Sequence, residues 1–153
     1  MGFPTILYCG RDECLRVPVL QVAGLRVAQC ASPEELERQL RDEPEIAAIL
    51  FEEARDQTAD AAAQMAKGSS AAALVLFRHP AGNSSDANFD LVIDSGTPPA
   101  RWLQQVAETL LGRVHPRWAQ VARDLQARRR DLLADEGAAT RGSRIQPERR
   151  KCI

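Results

Sequence analysis

Charged and polar side chains follow four short apolar segments of this sequence. The four groups are Gly10, Arg11, Asp12 and Glu13; Glu52 and Glu53; Arg78 and His79; and Asp94, Ser95 and Gly96. Carboxylates of this kind bind hard cations or pair with guanidinium groups, so the groups combine metal-ligand chemistry with ion-pair chemistry. They are the candidates for a functional site if the fold brings the ends of the four segments together.

The other reactive residues show no recognisable catalytic or metal-binding spacing. His79 and His115 each precede a proline and have no nucleophile or acidic partner at a familiar distance. The four cysteines fit no zinc pattern, and no glycine-rich phosphate loop is present. Cys9 and Cys30 end two predicted strands and could lie close enough for a redox role, although two small buried apolar residues are the commoner arrangement. We therefore expect no metal, no cofactor and no enzymatic activity.

Apolar segments alternate with helical patterns along the first 112 residues. Strands are predicted at Thr5–Cys9, Leu25–Cys30, Ile46–Phe51, Ala71–Phe77 and Phe89–Ile93, and helices at about Glu13–Val22, from Ser32 to before Pro44, at Thr58–Lys67 and from Pro99 onward. The second helix has a capping box, because Ser32 is followed by Pro33 and Glu35. A polar loop at 79–87 replaces a helix. The alternation predicts a flavodoxin-like α/β fold, with a doubly wound parallel sheet of order 2-1-3-4-5.

With these elements in place, residues 5 to about 112 resemble a receiver domain of the two-component response regulators. The resemblance rests on the element order, the strand lengths and the acidic residue Glu52 at the end of the third strand. It implies a magnesium site made by two acidic residues after the first strand and a phosphate-accepting aspartate ending the third. It also implies a serine or threonine after the fourth strand and a lysine followed by proline after the fifth.

The sequence departs from the family pattern at nearly every one of these positions. Gly10 and Arg11 stand at the acidic pair with Asp12 displaced beyond them, Glu52 at the phosphoacceptor, Arg78 at the hydroxyl, and Asp94 or Ser95 at the lysine. The resemblance is therefore to a degenerate receiver. We expect Arg11 or Arg78 to pair with Glu52, where a metal and phosphoryl group would otherwise lie.

The distribution of charge divides the 153-residue chain into an acidic body and a basic extension. Residues 1–112 carry 16 acidic and 9 basic side chains, whereas residues 113–153 carry 5 acidic and 11 basic ones. We predict a receiver-like domain at 1–112, a helical extension at 113–136 and a disordered basic tail at 137–153. Trp118, Val121 and Leu125 form an apolar stripe on the extension, which favours a weak homodimer or a protein partner. The pattern does not favour nucleic-acid binding, since a charged helix face is usually only solvated.

These patterns favour an atypical receiver-like signalling module that acts by protein–protein interaction. One alternative is a phosphorylatable regulator in a phosphorelay that uses Glu52 or Asp12. Another is a small flavodoxin-like enzyme or ligand-binding protein. No apolar stretch is long enough to cross a membrane and no secretory signal is recognisable, so we expect a cytoplasmic location.

Overall fold

A five-stranded parallel sheet forms the centre of the molecule. The computed structural model describes residues 5–43, 45–112 and 127. The strands are β1 (Thr5–Cys9), β2 (Arg26–Cys30), β3 (Ile46–Glu52), β4 (Ala73–Arg78) and β5 (Leu91–Asp94). Their spatial order is β2-β1-β3-β4-β5, and every neighbouring pair is parallel. The predicted flavodoxin-like α/β topology is therefore confirmed.

Helices cover both faces of the sheet. They are α1 (Arg16–Val22), α2 (Pro33–Asp42), α3 (Asp60–Ser69) and α4 (Pro99–Gly112). One apolar core contains Leu20 of α1 and Leu103 of α4, and the other contains Leu36 of α2 and Ala63 of α3. Because β3 and β4 contribute to both cores, their uninterrupted apolar sequences are buried on both faces, as expected for central parallel strands.

The local signals for α2 are realised in the structure. The Ser32 hydroxyl accepts a hydrogen bond from the Glu35 N–H at 3.2 Å, and the Glu35 carboxylate accepts one from the Ala31 N–H at 2.7 Å. The first bond satisfies a donor that the first turn of a helix leaves free, and the second ties the residue before the N-cap to that turn. The predicted polar connection from β4 to β5 is also present, because its only regular element is a short 3-10 helix at Asp86–Asn88.

Helix α1 begins three residues later than the sequence pattern indicates. Leu15 precedes it in the left-handed region with φ of 58°, so a helix from Glu13 to Val22 was wrong in its first turn. The later start places Pro18 in the first turn, where its missing N–H breaks no helical hydrogen bond. As a result Arg16, and not Glu13, is the first helical residue.

Candidate functional site

Arg16 lies buried at the carboxyl end of the sheet. Its side chain is only 2% exposed, although it carries a permanent positive charge. The turn before α1 fixes its position, because the Asp12 carboxylate accepts hydrogen bonds from the Arg16 N–H at 2.7 Å and the Val17 N–H at 2.8 Å. Asp12 thus caps α1 from four residues upstream and directs Arg16 toward the sheet.

The guanidinium group of Arg16 joins three different strand ends. Its Nη1 lies 3.2 Å from Oε1 of Glu52 and donates to the Tyr8 hydroxyl at 3.3 Å, while Nη2 donates to the carbonyl of Ser95 at 2.9 Å. The guanidinium carbon lies 4.0 Å from the centre of the Phe77 ring, within range of a cation–π interaction. The burial of this charge is therefore compensated on several sides.

Glu52 is the acidic partner in the network. Its side chain is 13% exposed, and its Oε2 accepts a hydrogen bond from the Tyr8 hydroxyl at 2.8 Å. Burial raises the pKa of the Glu52 carboxyl above its usual value, although the Tyr8 hydrogen bond and the Arg16 charge act in the opposite direction. Burial also raises the pKa of the Tyr8 phenol, so Tyr8 remains a neutral donor.

Glu52 does form an ion pair, but the prediction of its partner was wrong: the partner is Arg16 and not Arg11 or Arg78. Arg11 is exposed. Arg78 turns toward the loop that follows β4, where it donates to the Ser84 carbonyl at 2.7 Å and pairs with Asp86. A helix from Glu13 would place Pro18 in its interior, which indicates a later start, but no local pattern indicates that Arg16 points inward.

Gly10 closes the turn after β1 against Glu52. Its φ is +115°, which side-chain-bearing residues rarely adopt, and a Cβ there would lie 3.0 Å from the Glu52 carbonyl oxygen. An acidic side chain at this position would therefore require a different backbone. Among residues 5–43 and 45–112, no three histidine, cysteine or acidic side chains converge in a way that would hold a metal ion.

Glu53 is the acidic candidate that directly follows β3. It is buried, and its carboxylate accepts hydrogen bonds from the backbone N–H of His79 at 3.1 Å and of Ser84 at 2.8 Å. Gly82 packs directly against it, because a Cβ at Gly82 would overlap Oε1 of Glu53. Glu53 therefore organises the loop between β4 and β5, which has no α-helix of its own.

The remaining candidates fall on or beside the same edge of the sheet. Ser95 contributes its carbonyl to Arg16, and its N–H donates to the Arg78 carbonyl at 3.0 Å. Asp94 is exposed, and its carbonyl accepts the Thr97 N–H at 3.0 Å. The predicted extension at 113–136, the tail at 137–153 and the stripe of Trp118, Val121 and Leu125 lie outside the described residues, apart from the helical backbone of Ala127.

An open groove of about 660 Å³ lies over the buried network. Its wall has mixed charge, with Arg11 and Arg55 on one hand and Glu13 and Glu52 on the other. Arg16 and Tyr8 already engage the Glu52 carboxylate, and no cluster of cation ligands occurs among the described residues. The geometry is that of a closed charge network, which favours a fixed conformation.

Comparisons with known proteins address the fold. No protein-family model and no curated protein sequence matches this chain. Among solved structures, the chain is similar to one described as the phosphorylated P1 domain of CheA3 in complex with CheY6 from R. sphaeroides. The sequences are 18% identical, the alignment covers 67% of this chain and 95% of that chain, and the TM-score is 0.48. The fold assignment therefore rests on the strand order and register described above. In the described part of the chain, no helix combines the length and apolar character needed to span a membrane.

Proposed function

We propose that this chain is a receiver-like signalling module that works by binding a protein partner and is not switched by phosphoryl transfer. The observation that carries the proposal is the Arg16–Glu52 pair at the carboxyl end of the parallel sheet, where sites of this fold class form. In the receiver family that the sequence resembles, the phosphoacceptor and its metal ion lie at this position. Here a permanent cation of the chain itself takes the place of an exchangeable one.

Four features support a fixed state over a switchable one. Gly10 leaves no room for the first acidic residue of a magnesium pair, and Asp12 uses both carboxylate oxygens to cap α1. Arg16 also binds the Ser95 carbonyl, so the β5 end is already linked to the position of Glu52. A phosphoryl group at Glu52 would have to displace Tyr8 and Arg16 from its oxygens. The module would thus present one surface to its partner without an activation step and without catalysis.

The test of the fixed state is treatment with a phosphoryl donor. The full chain is incubated with magnesium and acetyl phosphate, or with magnesium and beryllofluoride, alongside a phosphorylatable receiver domain that reports the activity of the reagents. We expect no phosphoryl adduct in the intact mass and unchanged amide resonances at Gly10, Glu52 and Ser95. An adduct mapped to Glu52 or Asp12 would instead establish the phosphorylatable alternative.

Partner binding is tested in the presence and in the absence of a phosphoryl mimic. Proteins captured from the native host by the full chain are purified, and their affinities are measured by calorimetry with and without magnesium and beryllofluoride. We expect at least one direct partner whose affinity is the same in both conditions. A partner that binds only in the presence of beryllofluoride would contradict the proposal, and so would turnover of a small molecule in the groove.

A further inference from the structure

Two thiols stand side by side at the carboxyl ends of β1 and β2. Cys9 and Cys30 are paired residues in the parallel register of these strands, and both are free cysteines. Paired residues in register point to the same face of a sheet, because side chains alternate along each strand. Cys30 belongs to the core on the α2 and α3 side, and Cys9 packs against that core. The two side chains therefore share one environment.

The separation of the two strands suits a disulfide. Neighbouring strands lie about 4.8 Å apart, and the Cα atoms of bridged cysteines are usually ~4.4–6.8 Å apart. Each thiol is close enough to shift the pKa of the other. Closing a bridge would therefore need rotation of side chains and only small backbone movement.

A cavity gives small molecules access to this pair. It has a volume of about 180 Å³, and its wall includes Cys9, Cys30, Ser32 and Glu52. One water molecule occupies about 30 Å³ in the liquid, so the cavity has room for hydrogen peroxide. We propose that Cys9 and Cys30 form a redox-active dithiol that hydrogen peroxide converts into a reversible disulfide. This inference is independent of the proposed signalling function.

The two thiols have different roles in the reaction. The hydrogen bond from Cys9 lowers the pKa of the Cys30 thiol, whereas the hydrogen bond to Cys30 and burial raise the pKa of Cys9. Cys30 is therefore the thiolate that attacks, and Cys9 is the resolving thiol. Both residues line the cavity, so peroxide can reach Cys30 there with Cys9 beside it.

The reaction balances in two steps. The Cys30 thiolate attacks one oxygen of hydrogen peroxide, the O–O bond breaks, and the departing hydroxide takes up the thiol proton to leave water and a sulfenic acid on Cys30. The Cys9 sulfur then attacks the Cys30 sulfur, its proton goes to the departing hydroxyl group, and a second water leaves as the S–S bond forms. The two thiols lose two electrons in total and peroxide gains them. A dithiol reductant such as dithiothreitol reverses the oxidation by thiol–disulfide exchange.

A disulfide between Cys9 and Cys30 would affect the turn that lies beside Glu52. The Gly10 N–H donates to the Cys30 carbonyl at 3.2 Å, and Gly10 in turn contacts Glu52. A bond between the strand ends would tie this turn to β2.

Peptide mapping of the full chain tests the proposal. The folded protein is treated with hydrogen peroxide, its free thiols are alkylated, and it is digested with trypsin, which places the four cysteines in four different peptides. We expect a disulfide between the peptide 1–11, which holds Cys9, and the peptide 27–38, which holds Cys30. We also expect dithiothreitol to remove it. Recovery of both peptides alkylated, or linkage of either one only to another cysteine or another molecule, would overturn the proposal.

Single variants test the order of events. In Cys9→Ser, Cys30 has no resolving partner, so its sulfenic acid should accumulate and react with dimedone. In Cys30→Ser, labelling of Cys9 should be several-fold lower. Equal labelling in the two variants would refute the assignment of Cys30 as the attacking thiol. If a variant does not fold, the peptide map of the native chain still decides whether the pair closes.

Discussion

Nη1 of Arg16 lies 3.2 Å from Oε1 of Glu52, and neither side chain is more than 13% exposed. This relationship joins the first turn of α1 to the end of β3 across a separation of 36 residues. A buried pair of this kind has stabilising contacts only while both partners remain, because each charge alone would be left without its counterion in a poorly solvated place. Substitution of either residue should therefore change the free energy of unfolding.

Replacing Arg16 by methionine should be the more harmful of the two single changes. Arg16→Met keeps much of the packing on Phe77 but leaves the Glu52 carboxylate without its counterion, and breaking a buried pair in this way costs about 3–5 kcal/mol. Glu52→Gln also leaves the buried Arg16 charge without its counterion. It should cost less, because Arg16 keeps its hydrogen bond to the Ser95 carbonyl and the amide oxygen can still accept from Tyr8. Urea unfolding of the two variants measures the difference.

The double variant supplies the control for this interpretation. If the two side chains act on each other, Arg16→Met with Glu52→Gln should lose less stability than the sum of the two single losses. Additive losses would mean that Arg16 stabilises the fold through Phe77 and Ser95 alone.

The raised pKa of Glu52 predicts a pH dependence with a defined sign. An acid whose pKa is higher in the folded state binds its proton more tightly when folded, so its contribution to stability is greatest at low pH. That contribution should be lost as the pH rises from the ordinary glutamate range through the raised value. The difference in unfolding free energy between the native chain and Glu52→Gln isolates this contribution from that of other carboxylates. A carboxyl resonance of Glu52 that titrates below the ordinary range would contradict it.

The sheet was predictable from sequence because its signals are local, whereas the charge network depends on contacts between distant elements. Uninterrupted apolar runs identified β3 and β4, and Ser32 with Pro33 identified the start of α2. Arg16 gave no such signal, because its burial follows from the turn before α1 and from Glu52, Tyr8 and Ser95 in other elements.

The burial of Glu53 also depends on a distant segment of the chain. A charged residue that follows a strand is usually solvated. The loop from His79 to Ser84 instead folds over it and supplies two backbone donors. A linear pattern contains no sign of a loop that closes over its neighbour, except that Gly82 is small enough to allow it.

Gly82 should be intolerant of even one added carbon. In Gly82→Ala the new Cβ would overlap Oε1 of Glu53, so the carboxylate would have to move away from the N–H groups of His79 and Ser84. Leaving a buried donor unsatisfied costs about 1–3 kcal/mol, and the variant should be destabilised by at least that amount in urea unfolding.

Gly68 is the matched control for this change. It lies in α3, and no heavy atom from the rest of the fold comes within 4 Å of the position that a Cβ would take there. Gly68→Ala should therefore be neutral or stabilise the helix by about 0.5–1 kcal/mol. Adding Glu53→Ala to Gly82→Ala removes the overlapping carboxylate, so the alanine at 82 should then cost less than it does beside Glu53. Equal stability of Gly82→Ala and the native chain would show that the loop adapts without loss.

Asp12 should act through α1 and not as a ligand for a metal or phosphoryl group. Its two oxygens each accept one backbone N–H, from Arg16 and from Val17. Loss of a capping side chain costs about 0.5–2 kcal/mol, so Asp12→Ala should be destabilised by that amount, and Asp12→Asn, which keeps one acceptor oxygen, by less. Because the cap also holds Arg16 in place, the amide resonances of Glu52 and Ser95 should shift in Asp12→Ala. Magnesium should leave the spectra of the native chain and of both variants unchanged. A saturable magnesium response that disappears in Asp12→Ala would instead identify Asp12 as a metal ligand.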